Sequence, residues 1–149
     1  MNATDELSAP LAEAVAVALR EMAAVESGLC EIGTGAPGEV SAIIPVATAA
    51  GAGYVALHFT VASANELARR VLARAEAGEG DDATRRDCLG EVANVVAGQA
   101  KTLLYGTPYH FTLSTPRIVF GDPARDDGAR VLAFGSEIGN FVLHARLPT

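Results

Sequence analysis

Residues 84–104 read TRRDCLGEVANVVAGQAKTLL and form the longest stretch of helical periodicity in the 149-residue chain. At about 100° per residue, their apolar side chains gather on one broad side of a helix, which must face a core. These side chains are Leu89, Val92, Ala93, Val96, Ala100, Leu103 and Leu104. The stretch ends before the turn sequence Gly106-Thr107-Pro108. It predicts one long helix with a buried face and an exposed face.

The sequence before this helix predicts two more helices and three strands. Apolar spacing indicates a helix over Leu7–Val25, followed by strands at Leu29–Ile32, Val40–Val46 and Gly53–Thr60, with turns at residues 33–38 and 48–51. A second helix is expected from Ser63, as an N-cap with Glu66 in a capping box, to Ala77. Residues 78–82, GEGDD, then form an acidic linker.

The C-terminal third returns to strand patterns. The predicted strands are Tyr109–Leu113, Arg117–Phe120, Arg130–Ser136 and Phe141–Leu147, the last two joined by a turn at Gly139-Asn140. This order predicts an α+β fold in which long helices cover one face of a largely antiparallel sheet. We expect one domain to span residues 1–149.

Composition narrows the class of protein. Half of the residues are hydrophobic and 19% are charged, which is typical of a compact globular chain. A net charge of -7 would repel nucleic acid. The apolar stretches are too short to span a bilayer, and the acidic N-terminus does not resemble a signal peptide. We therefore expect a cytoplasmic protein without nucleic-acid or membrane partners.

Cysteine and histidine spacing predicts no metal site or disulfide. Cys30 and Cys88 lie far apart without a CxxC motif, and both are expected to be small buried hydrophobic residues. Nothing in the spacing of His58, His110 and His144 brings them together, so they are interpreted as ordinary sheet residues.

The exposed face of the long helix carries a polar stripe about 80° wide at helical geometry. It contains Asp87, Glu91, Asn94, Gly98, Lys101 and, if the helix extends so far, Tyr105. A solvated surface face would give the same pattern. However, Asn94 and Gly98 are poor helix formers at positions where better ones would cost nothing, and a glycine leaves room for a partner to approach the backbone.

An acid and an amide limit the chemistry of such a face. The stripe has no nucleophile with a base, no metal cluster and no histidine, so covalent or metal catalysis by this chain alone is not indicated. A carboxamide can still position an attacking water molecule during phosphoryl transfer. Any metal ion could then belong to the partner.

The run Asp87-x3-Glu91-x2-Asn94-x3-Gly98, continuing as Gln99-Ala100-Lys101, resembles the active-site helix of the CheC/CheX/FliY family of chemotaxis phosphatases. The order of elements along most of the chain is also similar, with Pro116–Gly121 in a corresponding place. The first helix offers Glu13 and Glu21 but no asparagine three residues after either. With one site, the chain resembles CheX more than the two-site CheC.

The resemblance implies a phosphatase of a CheY-type response regulator. Asn94 would orient the attacking water, and Glu91 would form a salt bridge with the active-site lysine of the receiver. Asp87, Gly98 and Lys101 would contact the partner. The chain would bind no cofactor, Mg²⁺ would lie on the receiver, and the protein would be a homodimer. Two alternatives remain open: a non-catalytic adaptor that binds a receiver through the same helix, and a dimerisation module without a receiver partner.

Overall fold

The computed structural model describes residues 6–31, 38–121 and 128–149. The helices are α1 (Ser8–Ala23), α2 (Val61–Arg74) and α3 (Asp82–Leu103). The strands are β1 (Ser27–Cys30), β2 (Val40–Thr48), β3 (Gly51–Phe59), β4 (Phe111–Leu113), β5 (Arg117–Phe120), β6 (Arg130–Ser136) and β7 (Phe141–Arg146). The turn predicted at 33–38 lies almost wholly outside the described residues.

The strands form one antiparallel sheet in the order β1-β6-β7-β3-β2-β4, and β5 also pairs with β2. Alternate residues of β2 and β3, such as Ile44 and Leu57, enter the core beneath the helices. The three helices pack on this face, and the predicted α+β class is confirmed. That one domain spans residues 1–149 stays a prediction.

The core joins α1 and α3 to the sheet. Leu11 and Val15 of α1 and Val92 and Val96 of α3 are fully buried. Each such side chain contributes about 1.5–3 kcal/mol by leaving water. Beneath them Phe134 and Phe141 stack with ring centroids 5.1 Å apart. The exposed stripe of α3 is therefore held on a helix whose opposite side is fixed in the core.

The start of α2 differs from the prediction. The N-cap is Thr60, whose hydroxyl accepts a hydrogen bond from the Ser63 amide at 3.0 Å. Ser63 is buried inside the helix and donates through its hydroxyl to the Ile138 carbonyl at 2.7 Å. Glu66 pairs with Arg69 and Arg70 instead of closing a capping box. The predicted Ser63 cap was wrong because Thr60, three residues earlier, occupies the extended position that a cap requires.

The start of α3 is earlier than predicted, because Asp81 caps it by accepting a hydrogen bond from the Thr84 amide at 2.8 Å. At its end, Leu103 is 40% exposed although it was assigned to the core. It lies in the last turn, where its side of the helix is left uncovered. Leu104, the next residue, is buried as predicted.

The two cysteines differ in environment. Cys88 is buried as expected, whereas Cys30 is exposed. The prediction for Cys30 was wrong because it ends β1, an edge strand that pairs with β6 alone among the strands that the structure describes.

Candidate functional site

The polar stripe of α3 lies on the outside of the molecule. Asp87 and Glu91 are exposed, and Asn94, Gly98 and Lys101 are half-buried. Residues three or four apart on a helix have β-carbons about 5–6 Å apart. The Glu91 carboxylate and the Asn94 carboxamide therefore project side by side from one face of α3.

Neither of these two side chains is engaged within the part of the chain that the structure describes. The described ion pairs and side-chain hydrogen bonds involve other residues, and neither Glu91 nor Asn94 takes part in them. A carboxylate and a carboxamide without an internal partner keep their hydrogen-bonding capacity for another molecule.

The two glycines of α3 have different surroundings. A β-carbon on Gly98 would meet nothing within 4 Å, so packing inside the protein does not require glycine there. A β-carbon on Gly90 would lie 3.4 Å from Cγ of Pro116, because the segment leading into β5 passes along this side of the helix. Glycine at 98 costs about 1 kcal/mol of helix propensity relative to alanine without a compensating internal contact.

The charge of the stripe is negative at its N-terminal half. Burial, with a smaller contribution from the carboxylates of Asp87 and Glu91, raises the pKa of the Cys88 thiol above its ordinary value. This thiol, which packs against Ala68 and Leu72 of α2, is therefore protonated at neutral pH and is a poor nucleophile. Within residues 6–31, 38–121 and 128–149, no three His, Cys, Asp or Glu side chains come close enough together to hold a metal ion.

Comparison with known proteins identifies the family to which this chain belongs. A sequence model described as "Chemotaxis phosphatase CheX" matches residues 40–134, more than half of the chain and all of α3. The chain belongs to the CheX family. No curated protein sequence gives a significant match.

Solved CheX structures have the same fold. The chemotaxis protein CheX from Vibrio vulnificus is 27% identical, with a TM-score of 0.78, and the match covers 97% of this chain and 98% of that one. CheX from Desulfovibrio desulfuricans is 22% identical, with a TM-score of 0.80, over 95% and 99% of the two chains. The CheX-CheY-BeF3-Mg complex from Borrelia burgdorferi matches with a TM-score of 0.68 at 19% identity, over 96% and 98%.

The catalytic roles of Glu91 and Asn94, and the contact roles of Asp87, Gly98 and Lys101, stay predictions for this member of the CheX family. The structure brings all five together on α3, as the helical spacing required. No helix among the described residues is both long and apolar enough to cross a bilayer.

Sequence reasoning missed an aromatic residue beside the stripe. The Arg86 guanidinium lies 5.8 Å from the centroid of the Phe120 ring, and this ring is 59% exposed. Phe120 was predicted only as a strand residue. Its position at the end of a short strand, before Gly121, was the one signal that it could lie outside the core.

The structure also brings together two histidines that sequence spacing left apart. His58 and His144 lie on paired strands with ring centroids 4.5 Å apart, and both are buried. Ser41 Oγ is 2.6 Å from His58 Nδ1. By strand alternation this group lies on the sheet face opposite the helices, away from the stripe.

Proposed function

We propose that this chain hydrolyses the phosphoaspartate of a CheY-type response regulator, with the exposed face of α3 docked on the receiver. The observation that carries the proposal is the pairing of Glu91 and Asn94, unengaged and outward-facing, on the central helix of a CheX-family fold. The existence of a CheX-CheY complex among proteins of this fold supports a CheY-like partner.

In this mechanism the chain supplies an amide and an acid. The Asn94 carboxamide holds a water molecule in line with the phosphorus-oxygen bond of the phosphoaspartate. The water oxygen forms a new bond to phosphorus while the bond to the aspartate oxygen breaks. The products are inorganic phosphate and the receiver carboxylate, and the water proton leaves with the phosphate or to solvent.

The receiver supplies the remaining groups. Its bound Mg²⁺ balances the charge that develops on the phosphoryl oxygens, so this chain needs no cofactor of its own. Glu91 forms a salt bridge with the active-site lysine of the receiver and thereby sets the register of docking.

The other predicted contacts have supporting roles. Asp87 lies one turn before Glu91 and flanks the docked surface. Gly98 has open space around its missing side chain, so the receiver backbone can approach α3 closely there. Lys101, at the C-terminal end of the stripe, provides the positive charge of this surface.

The resemblance to CheX further implies a homodimer. An exposed edge strand can pair with another chain, and β1, with Leu29 54% exposed, is such a strand in the described sheet. Sedimentation equilibrium tests this proposal, and a monomer at all concentrations would contradict it.

Phosphate release from a phosphorylated CheY-type receiver tests the main proposal. The chain should accelerate release, and Asn94→Ala and Glu91→Ala should each reduce the acceleration. Glu13→Ala, which removes an exposed carboxylate from α1 instead, is the matched control and should keep full activity. Binding to a receiver that carries BeF3 without any acceleration would favour the adaptor, and no binding would favour a module without a receiver partner.

A further inference from the structure

An exposed apolar shoulder lies beside the first turns of α3. Phe120 at the end of β5 is 59% exposed and Val61 at the start of α2 is 47% exposed. Large apolar side chains exposed together at the rim of a groove mark binding surfaces more often than side chains exposed singly.

These two side chains line a cavity of about 320 Å³ at the N-terminal end of α3. Val40 and Leu89 form further parts of its apolar lining, and Asn65 and Arg86 are among its polar groups. The cavity has room for one large side chain of another protein.

The shoulder is continuous with the proposed catalytic stripe. Arg86, Gly90 and Asn94 follow one another at four-residue intervals along one side of α3. Gly90 faces Pro116 and Arg86 lies over Phe120, so β5 and the segment before it run alongside this part of the helix.

Distance then decides whether a docked receiver reaches the shoulder. Eight residues separate Arg86 from Asn94, which is about 12 Å along the helix axis. A standard interface buries about 800 Å² per partner, which as a disc has a radius of about 16 Å. A receiver centred on Asn94 therefore covers Arg86 and the rim of the cavity.

Charge indicates what the receiver places there. Arg85 is paired with Asp82 at 3.3 Å. Arg86 forms no ion pair with any residue that the structure describes, and its guanidinium is held over the Phe120 ring. The cavity favours an apolar side chain of the partner, and the unpaired Arg86 beside it favours a carboxylate next to that side chain. Arg86 is a local positive charge on a protein whose net charge is -7.

The geometry points to the shoulder of Val61 and Phe120, together with the adjacent Arg86, as a second docking contact for the receiver. The receiver inserts an apolar side chain there, with an acidic side chain beside it. This inference rests on the proposed function. The contact contributes affinity and not chemistry, because it lies about two helical turns from Asn94. Buried aromatic and arginine side chains are the residue types that dominate binding energy at interfaces.

The test compares Phe120→Ala and Arg86→Gln with Leu103→Ala, a matched loss of an exposed apolar side chain in the last turn of α3, on the side of the helix away from the stripe. The probes are a phosphorylated CheY-type receiver that the wild-type protein dephosphorylates, and the same receiver carrying BeF3 and Mg²⁺. Phe120→Ala should raise KM and the dissociation constant by about tenfold and leave kcat within about twofold. Arg86→Gln, which keeps the ring, should weaken binding in the same direction.

The inference is overturned if both variants bind and turn over the receiver as Leu103→Ala does. It is also overturned if Phe120→Ala changes only self-association in sedimentation, since the shoulder would then join copies of this chain. Failure of the proposed function looks different, because the wild-type protein itself would then accelerate no phosphate release.

Discussion

Pro116 Cγ lies 3.4 Å from the position that a β-carbon on Gly90 would occupy, so a methyl group at that position would just reach van der Waals contact with the segment before β5. Gly90→Ala should therefore raise the free energy of unfolding by up to about 1 kcal/mol through helix propensity, whereas Gly90→Leu should lower it by about 1–3 kcal/mol through overpacking. Urea unfolding measures both. Equal stability of the alanine and leucine variants would show that the two elements are not in contact.

Gly98 differs from Gly90 in having open space where its β-carbon would lie. Gly98→Ala should raise the free energy of unfolding by up to about 1 kcal/mol, because alanine is the better helix former and its methyl group meets nothing within the protein. The same variant should slow phosphate release, since that methyl group lies where the receiver approaches. A variant that is both more stable and fully active would contradict the role proposed for Gly98.

The N-cap hydrogen bond of α2 should contribute to the stability of the protein and not to its activity. Thr60→Ala should lower the free energy of unfolding by about 1 kcal/mol, because the Ser63 amide loses its acceptor. Thr60→Ser keeps that acceptor and is the matched control. Thermal unfolding checks the pair, and equal destabilisation by the two substitutions would mean that the cap hydrogen bond contributes nothing.

The pH dependence of folding should include a contribution from Glu66. Hydrogen bonds from Arg69 and Arg70 lower the pKa of its carboxyl from 4.5 to about 2. Because the folded-state pKa is the lower one, this stabilisation is fully present above pH 4.5 and is lost as pH falls toward 2.

The effect should be small and sensitive to salt, since Arg69 is exposed and Glu66 and Arg70 are only half-buried. Between about pH 6 and about pH 3, Glu66→Gln should lose less stability in urea unfolding than the wild-type protein loses. Identical pH profiles for the two proteins would show that these pairs do not contribute.

The sequence predicted those features of the fold that show in the spacing of neighbouring residues, and it missed others. The helical period over residues 84–104 predicted α3 and its stripe, because a helix that buries one face repeats its apolar residues at intervals of three or four. The cap at Thr60 was missed because Ser63 and Glu66 also match a capping box, and only the backbone conformation decides between them. Leu103 was misplaced because periodicity does not report where neighbouring elements stop covering a helix.

Contacts that depend on which strands pair could not be predicted from the sequence. His58 and His144 meet only because β3 pairs with β7. The Arg86-Phe120 contact likewise needs β5 to lie beside α3. The stripe itself required no such knowledge, since all its members belong to one helix.

In the proposed mechanism Asn94 positions the water that attacks the receiver phosphoaspartate. The direct measurement is the rate of phosphate release with Asn94→Ala, alongside the affinity of that variant for the receiver carrying BeF3 and Mg²⁺. We expect the acceleration to fall by about a hundredfold or more, while affinity and the free energy of unfolding change little, because the Asn94 side chain forms no hydrogen bond within the described residues. Full acceleration by Asn94→Ala would contradict the account.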